Sequence, residues 1–197
     1  MPVLSGRLTA RVEAEAPSID DPAMMDGLTG RGRISMAQGQ IKNSTLFGGG
    51  GGSGMAQMIT GLKVAIPEVG RVLEQATKAL TFSALESKFR VANRVVNVDR
   101  AFLTGRSLDV DMKGTVRFDK RVALDSKLIV KGSDARKLEK VVEGGAIPLR
   151  IGGTLAAPQV RPNLDLKKLL GAAIGDPNDL LDQLKKKKLP KIKNPFK

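Results

Sequence analysis

TFSALESKFRVANRVVNVDRAFLTGRSLDVDMKGTVRFDKRVALDSKLIV, residues 81–130, is the stretch that decides the fold. Its apolar residues recur every second position. Leu85, Ser87, Phe89 and Val91 share one phase, and Asn93-Arg94 reads as a turn. Val96 and Val98 resume the pattern, with Phe102 taken as its continuation. Leu108, Val110 and Met112 then alternate with Ser107, Asp109, Asp111 and Lys113. Gly114 reads as a bulge or bend, Val116 and Phe118 follow, and Asp119-Lys120-Arg121 forms the next turn. Val122, Leu124, Ser126, Leu128 and Val130 complete the run. Period-two alternation describes a strand with one wet face. Turns roughly every ten residues describe an antiparallel meander.

Outward from this stretch the same period reappears. Ile147, Leu149 and Ile151 run into Gly152-Gly153-Thr154-Leu155. Near the N-terminus, Leu4, Leu8, Ala10, Val12 and Ala14 alternate with Arg7, Thr9, Arg11 and Glu13 until Pro17. Ser18 to Leu28 reads as a short helical turn. Gly30 to Met36 alternates again, Gln38-Gly39-Gln40 reads as a turn, and Ile41 as the start of a short return strand. A few isolated strands cannot bury an apolar face. The segment before Phe47 is therefore expected in the same sheet as the meander.

Residues 55–80 change period. Met55, Met58, Ile59 and Leu62, then Val69, Val72, Leu73, Ala76 and Leu80, fall at helical spacing, and Ile66-Pro67 divides them. Two short helices packed on the sheet's apolar face are expected. Lys137 to Glu143 reads as one helical turn, and Asn178 to Lys188 as an amphipathic helix ended by Pro190. The fold class is mainly β (α+β): a curved antiparallel β-sheet with one apolar face, two short helices on it, and a C-terminal amphipathic helix with a basic tail. Residues 1–175 form the β domain, with a flexible Gly/Ser linker at 48–54 and the helical insert at 55–80. Residues 176–197 form the tail.

Composition removes several chemistries. Among the 197 residues there is neither cysteine nor histidine. Disulfides, thiolate nucleophiles, imidazole bases and zinc-thiolate sites are excluded. Aromatic residues make up 3%, few for a protein that stacks nucleic-acid bases. The net charge is +13, and seven lysines with no acid lie between Lys185 and Lys197. Such a tail suits an anionic surface, a lipid leaflet or a nucleic acid; a merely solvated tail is the plain alternative. No stretch has the roughly 18 to 20 apolar residues of a membrane-spanning helix. Met1 to Ala16 lacks the basic start and apolar run of a signal peptide. GGGGGSG, residues 48–54, resembles an engineered linker. Either the natural protein is soluble and cytoplasmic or this is an excised piece; a start directly in alternating sequence and the GGGGGSG run favour excision.

Three blocks resemble the AsmA-like proteins of Gram-negative envelopes. In the first, LSGRLTARVEAEAPS and LTGRGRISMAQGQIKN, the matching positions are Gly30, Gly32, Ile34, Gly39 and Ile41. In the second they are Thr81, Phe82, Leu85, Phe89, Val91, Asn93 and Val95. The third, IPLRIGGTLAAPQVRPN, is similar to the family's closing phrase at Pro148, Leu149, Ile151, Gly153, Thr154, Leu155, Pro158 and Pro162. Arg94 stands where the family usually has a turn glycine, and GGGGGSG replaces or shortens a connection. The resemblance implies a long curved sheet whose concave apolar face is a groove. It also implies a periplasmic protein anchored in the inner membrane and linked to phospholipid transport and outer-membrane assembly.

Nothing in these blocks supplies a nucleophile or an acid–base pair, so no catalytic residue, cofactor or metal is expected. Asp99, Asp109 and Asp111 sit on the polar phase, where solvation is a simpler reading than an acidic metal site. GGGGGSG lacks the Gly-Lys-Ser/Thr of a phosphate loop. The expected groove is lined by Leu85, Phe89, Val91, Val96 and Val98, then Leu108, Val110, Met112, Val116 and Phe118. Leu124, Leu128, Leu149 and Ile151 continue it. The expected membrane-surface residues are Leu180, Leu181 and Leu184, the cations Lys185, Lys186, Lys187 and Lys188, and Phe196. The partners expected are a phospholipid or membrane surface and an envelope protein. The alternative is a basic nucleic-acid-binding protein that uses the lysine-rich tail.

Overall fold

The alternation builds eight strands, seen in a computed structural model that describes residues 3–17, 24–42, 53–139 and 142–164. They are β1 (Val3–Glu15), β2 (Thr29–Lys42), β3 (Ala79–Ala92) and β4 (Val95–Gly105), then β5 (Leu108–Arg117), β6 (Val122–Val130), β7 (Ala146–Gly153) and β8 (Pro158–Pro162). All eight join one open antiparallel sheet in sequence order. The N-terminal strands thus belong to the same sheet as the meander. Among the described residues four short helices decorate it: α1 (Met24–Gly27), α2 (Ser53–Ala65), α3 (Pro67–Lys78) and α4 (Ser133–Glu139).

Register places apolar residues opposite one another as rungs across the sheet. One rung runs Leu8, Met36, Leu85, Leu103, Val110, Leu128 and Ile147. The next runs Ala10, Ile34, Ser87, Ala101, Met112, Ser126 and Leu149. A third runs Val12, Gly32, Phe89, Val98, Gly114, Leu124, Ile151 and Val160. A fourth runs Ala14, Gly30, Val91, Val96, Val116 and Val122. Residues directly opposite in an antiparallel pair point to the same face. One face is therefore apolar from β1 to β8.

Bulges keep the rungs in phase, and they correct two sequence expectations. Gln38 does not centre a turn. It takes φ 51 inside the continuous strand β2, where the register against β1 shifts between Ser5 and Arg7. The extra residue lets both Met36 and Ile41 face the apolar side. In β4 the register shifts at Asp99-Arg100 against both neighbours. That shift moves Ala101 and Leu103 onto the apolar face and carries Phe102 to the polar one. There Phe102 lies 4.9 Å beneath the Arg100 guanidinium.

The helical insert splits as its sequence requires. Pro67 opens α3, a first-turn position that tolerates a missing N–H. Met55, Met58, Leu62, Ile66, Val69, Leu73 and Ala76 are buried in one cluster with Leu103, Val110, Leu128, Ile147 and Leu149 of the sheet. Each of these side chains larger than Ala76 contributes about 1.5–3 kcal/mol when fully removed from water. Leu80 belongs to β3 rather than to the helix, and is buried in the same cluster. Helix α2 lies against β8 and α3 against β3, so the pair spans the sheet between those strands. Where one helical turn was expected at 137–143, α4 starts earlier at Ser133, and a 3-10 turn occupies Glu143–Gly145. Of the helical turn expected at 18–28, Met24–Gly27 is α1, and residues 18–23 lie outside the described residues.

Two hairpin turns hold left-handed residues, Asn93 and Arg94 between β3 and β4 and Lys120, φ 69, between β5 and β6. Asn93 and Arg94 take φ 51 and 58, the mirror-image two-residue turn that matches strand twist. The hairpin is tight although neither of its two turn residues is a glycine. Among the described residues no helix is long and apolar enough to cross a membrane.

Candidate functional site: the open strip of the apolar face

The insert covers only part of the apolar face. Of the residues expected to line a groove, Leu108, Val110, Leu128, Leu149 and Ile151 are buried in the core. Leu85, Met112 and Leu124 are half-buried against that core. Phe89, Val91, Val96, Val98, Val116 and Phe118 are also half-buried, but lie outside the cluster. All but Phe118 belong to the third and fourth rungs, on the β1–β5 side of the sheet. At β1 the face is open: Leu4, Leu8 and Val12 are 52%, 58% and 57% exposed. The structure thus divides the expected groove into a sealed part under α2, α3 and α4 and an open strip beside it.

Glycine shapes the strip. Gly32 faces Phe89 across the β2–β3 pair, and a Cβ there would sit 2.4 Å from the ring. Gly39 faces Phe82 in the same way, with a Cβ 2.1 Å from its ring. Two aromatic rings therefore lie down on bare backbone and fill the space that missing side chains leave. Gly114, at φ 142, lies on the Val98 rung and abuts Ala123 of β6. The glycines at 32 and 114 leave that rung low between Val12 and Leu124.

One end of the strip is bordered by exposed ion pairs. Arg94 in the β3–β4 turn pairs with Asp26 of α1, and its Nη2 donates to Oδ2 at 3.1 Å. In the β5–β6 turn, Asp119 accepts from the Arg121 side chain at 2.6 and 2.8 Å and from the Arg121 backbone N–H at 3.1 Å. The Arg121 side chain, then its backbone N–H, hold the Asp119 carboxyl down at about 2.

The opposite face is polar. Asp99 and Asp111 are paired with Arg90 and Arg100, and Asp109 with Lys131. Among the described residues no group of three or more acids is placed to hold a metal. Arg11, Arg33, Lys88 and Arg100 stand opposite one another across β1–β4 as a row of cations. Like charges in that position repel, and Glu13, Glu86 and Asp111 pair with Arg11, Arg33 and Arg100 to offset it.

The expected site missed Val12 and Gly32. Their signal was present, because both lie in the alternating runs of β1 and β2. The membrane-surface residues Leu180, Leu181, Leu184, Lys185, Lys186, Lys187, Lys188 and Phe196 lie outside the described residues. No family model matches the chain, and neither the curated proteins nor the solved structures provide a match.

Proposed function

We propose that this chain is a non-enzymatic segment of an AsmA-like envelope protein, a lipid-groove or scaffold module for phospholipid transport or outer-membrane assembly. In this reading the full-length protein is periplasmic and anchored in the inner membrane. One observation carries it: an apolar strip from Val12 through Phe89 and Val98, flanked by Val91, Val96 and Val116, is left open beside a well-covered core. Five strands at about 4.8 Å spacing make the strip about 19 Å wide, comparable to the hydrocarbon depth of one leaflet, about half of ~30 Å. Each methylene laid there contributes about 0.8 kcal/mol. Backbone hydrogen bonds stay within the sheet, so binding an acyl chain demands no charged residue and no nucleotide.

A phospholipid carrying a photoactivatable acyl chain tests the reading. Cross-links are expected on Phe89, Val91, Val96, Val98 and Val116. Labelling confined to other surfaces, or none, overturns it. Binding to anionic vesicles is expected to disappear when residues 177–197 are deleted, with the fold intact. The alternative, a basic nucleic-acid-binding protein using its lysine-rich tail, gains one support from the Arg11–Arg33–Lys88–Arg100 row. Salt-dependent oligonucleotide binding without lipid labelling would favour that alternative.

A further inference from the structure

The two edges of the sheet are built differently. β8 is short, bounded by Pro158 and Pro162, and proline has no N–H to offer a neighbour. β1 is 13 residues long and contains no proline. Among the described residues nothing pairs with its outer side. Its apolar side chains Leu4, Leu8 and Val12 are all more than half exposed. Such an edge is a template for another strand.

We infer that β1 pairs with β1 of a second copy, antiparallel, about a two-fold axis through Ala10 and perpendicular to the sheet. An axis in that direction keeps both apolar faces on the same side. A parallel pairing about an axis along the strand would set one apolar face beside the other copy's polar face. Within the antiparallel arrangement, charge selects the register. Centring on Ala10 places Arg7 opposite Glu13 twice and Leu8 opposite Val12 twice, with Ala10 opposite itself. Centring on Thr9 places Arg7 opposite Arg11, and centring on Arg7 or Arg11 places an arginine opposite itself. Centring on Leu8 leaves Arg7 opposite Thr9 and Arg11 opposite Ser5, with no charge matched. Centring on Val12 matches Arg11 with Glu13, but only the end of the strand beyond Thr9 then overlaps. Opposite charges directly across a pair stabilise it, and like charges destabilise it. The Ala10 register alone matches charge over most of the strand. Its product is a continuous two-copy sheet, with the open strips of the two copies meeting at the axis. The dimer does not depend on what the strip binds.

The lack of cysteine makes the register directly readable. In the full chain, Ala10→Cys is expected to give a covalent dimer rapidly under mild oxidation. Leu8→Cys and Val12→Cys are expected to do so slowly, and the Leu8→Cys and Val12→Cys proteins mixed together rapidly. Sedimentation equilibrium on the unaltered chain is expected to show a monomer–dimer system. Arg7→Glu is expected to weaken it by about tenfold, with an unchanged far-UV spectrum and, at dilutions where both proteins are monomeric, an unchanged melting temperature. A chain that stays monomeric at its highest soluble concentration overturns the inference. So does equal cross-linking from positions 8, 10 and 12, or a dimer whose constant ignores Arg7→Glu.

Discussion

The ring of Phe89 lies directly on Gly32, its cross-strand partner, so closely that a single added carbon would stand 2.4 Å from it. Strand propensity alone would favour a β-branched residue at position 32, and the ring forbids one. Gly32→Val is therefore expected to destabilise the protein, by about 1–3 kcal/mol as overpacking commonly does. Denaturant unfolding measures this. A Gly32→Val protein as stable as the original would show that the ring moves aside freely.

Arg94 occupies a left-handed position, φ 58, at the second residue of the β3–β4 turn. A side chain costs roughly 1–2 kcal/mol there that glycine avoids. Its ion pair with Asp26 offsets little, because the two side chains are 52% and 58% exposed. Arg94→Gly is expected to raise stability by about 1 kcal/mol. The thermal midpoint checks it, and a fall would mean that the α1 contact outweighs the turn.

Much of this fold was legible because every rung follows a period of two. The phase of Leu85, Phe89 and Val91, the break at Ile66-Pro67 and the alternation of Leu4 to Val12 each survive in the structure. What failed was phase across a bulge. An extra residue at Asp99-Arg100 exchanges the roles of Phe102 and Leu103, and one near Gln38 joins two apparent strands into one. A bulge adds a residue without any compositional mark, so alternation read through it inverts. The extent of the site was hidden for another reason. Alternation shows which residues share a face, but not that the helices bury Leu128 and Leu149 in one cluster while leaving Val12 exposed.

Ser126 sits on the apolar face between Met112 and Leu149, and among the described residues its buried Oγ has no hydrogen-bond partner. An unpaired buried hydroxyl costs about 1–3 kcal/mol in desolvation. Ser126→Ala removes the polar atom at little cost in volume. It is expected to hold or increase stability, by up to about 1 kcal/mol. A clear loss in denaturant unfolding would show that the hydroxyl has a partner after all.

Asp119 makes the β5–β6 turn sensitive to acid. Its carboxyl is held at about 2 against an ordinary 3.8, chiefly by the Arg121 side chain. A carboxyl whose folded pKa is depressed stabilises the fold above its unfolded value. That contribution falls away as the pH drops from about 4 through about 2. Asp119→Asn is expected to flatten stability across that window. The turn is exposed, so added salt is expected to shrink the difference between the two proteins. Identical acid unfolding curves would show that the turn pairing contributes nothing.

The division of the apolar face into sealed and open parts predicts unequal costs for similar changes. Leu73 of α3 is 1% exposed and Leu128 of β6 fully enclosed, whereas Leu8 of β1 is 58% exposed. Leu128→Ala is expected to cost about 2–5 kcal/mol, because a cavity is left where neighbours cannot collapse. Leu8→Ala, already wet on one side, is expected to cost within about 0.5 kcal/mol. Leu73→Asp places a carboxylate where no water reaches, and loss of the cooperative transition is expected. Thermal unfolding of the three variants checks the order. An unchanged melting temperature for Leu73→Asp would mean that the insert does not pack on the sheet. More of the apolar face would then be open, and the contrast between Leu128 and Leu8 would shrink with it.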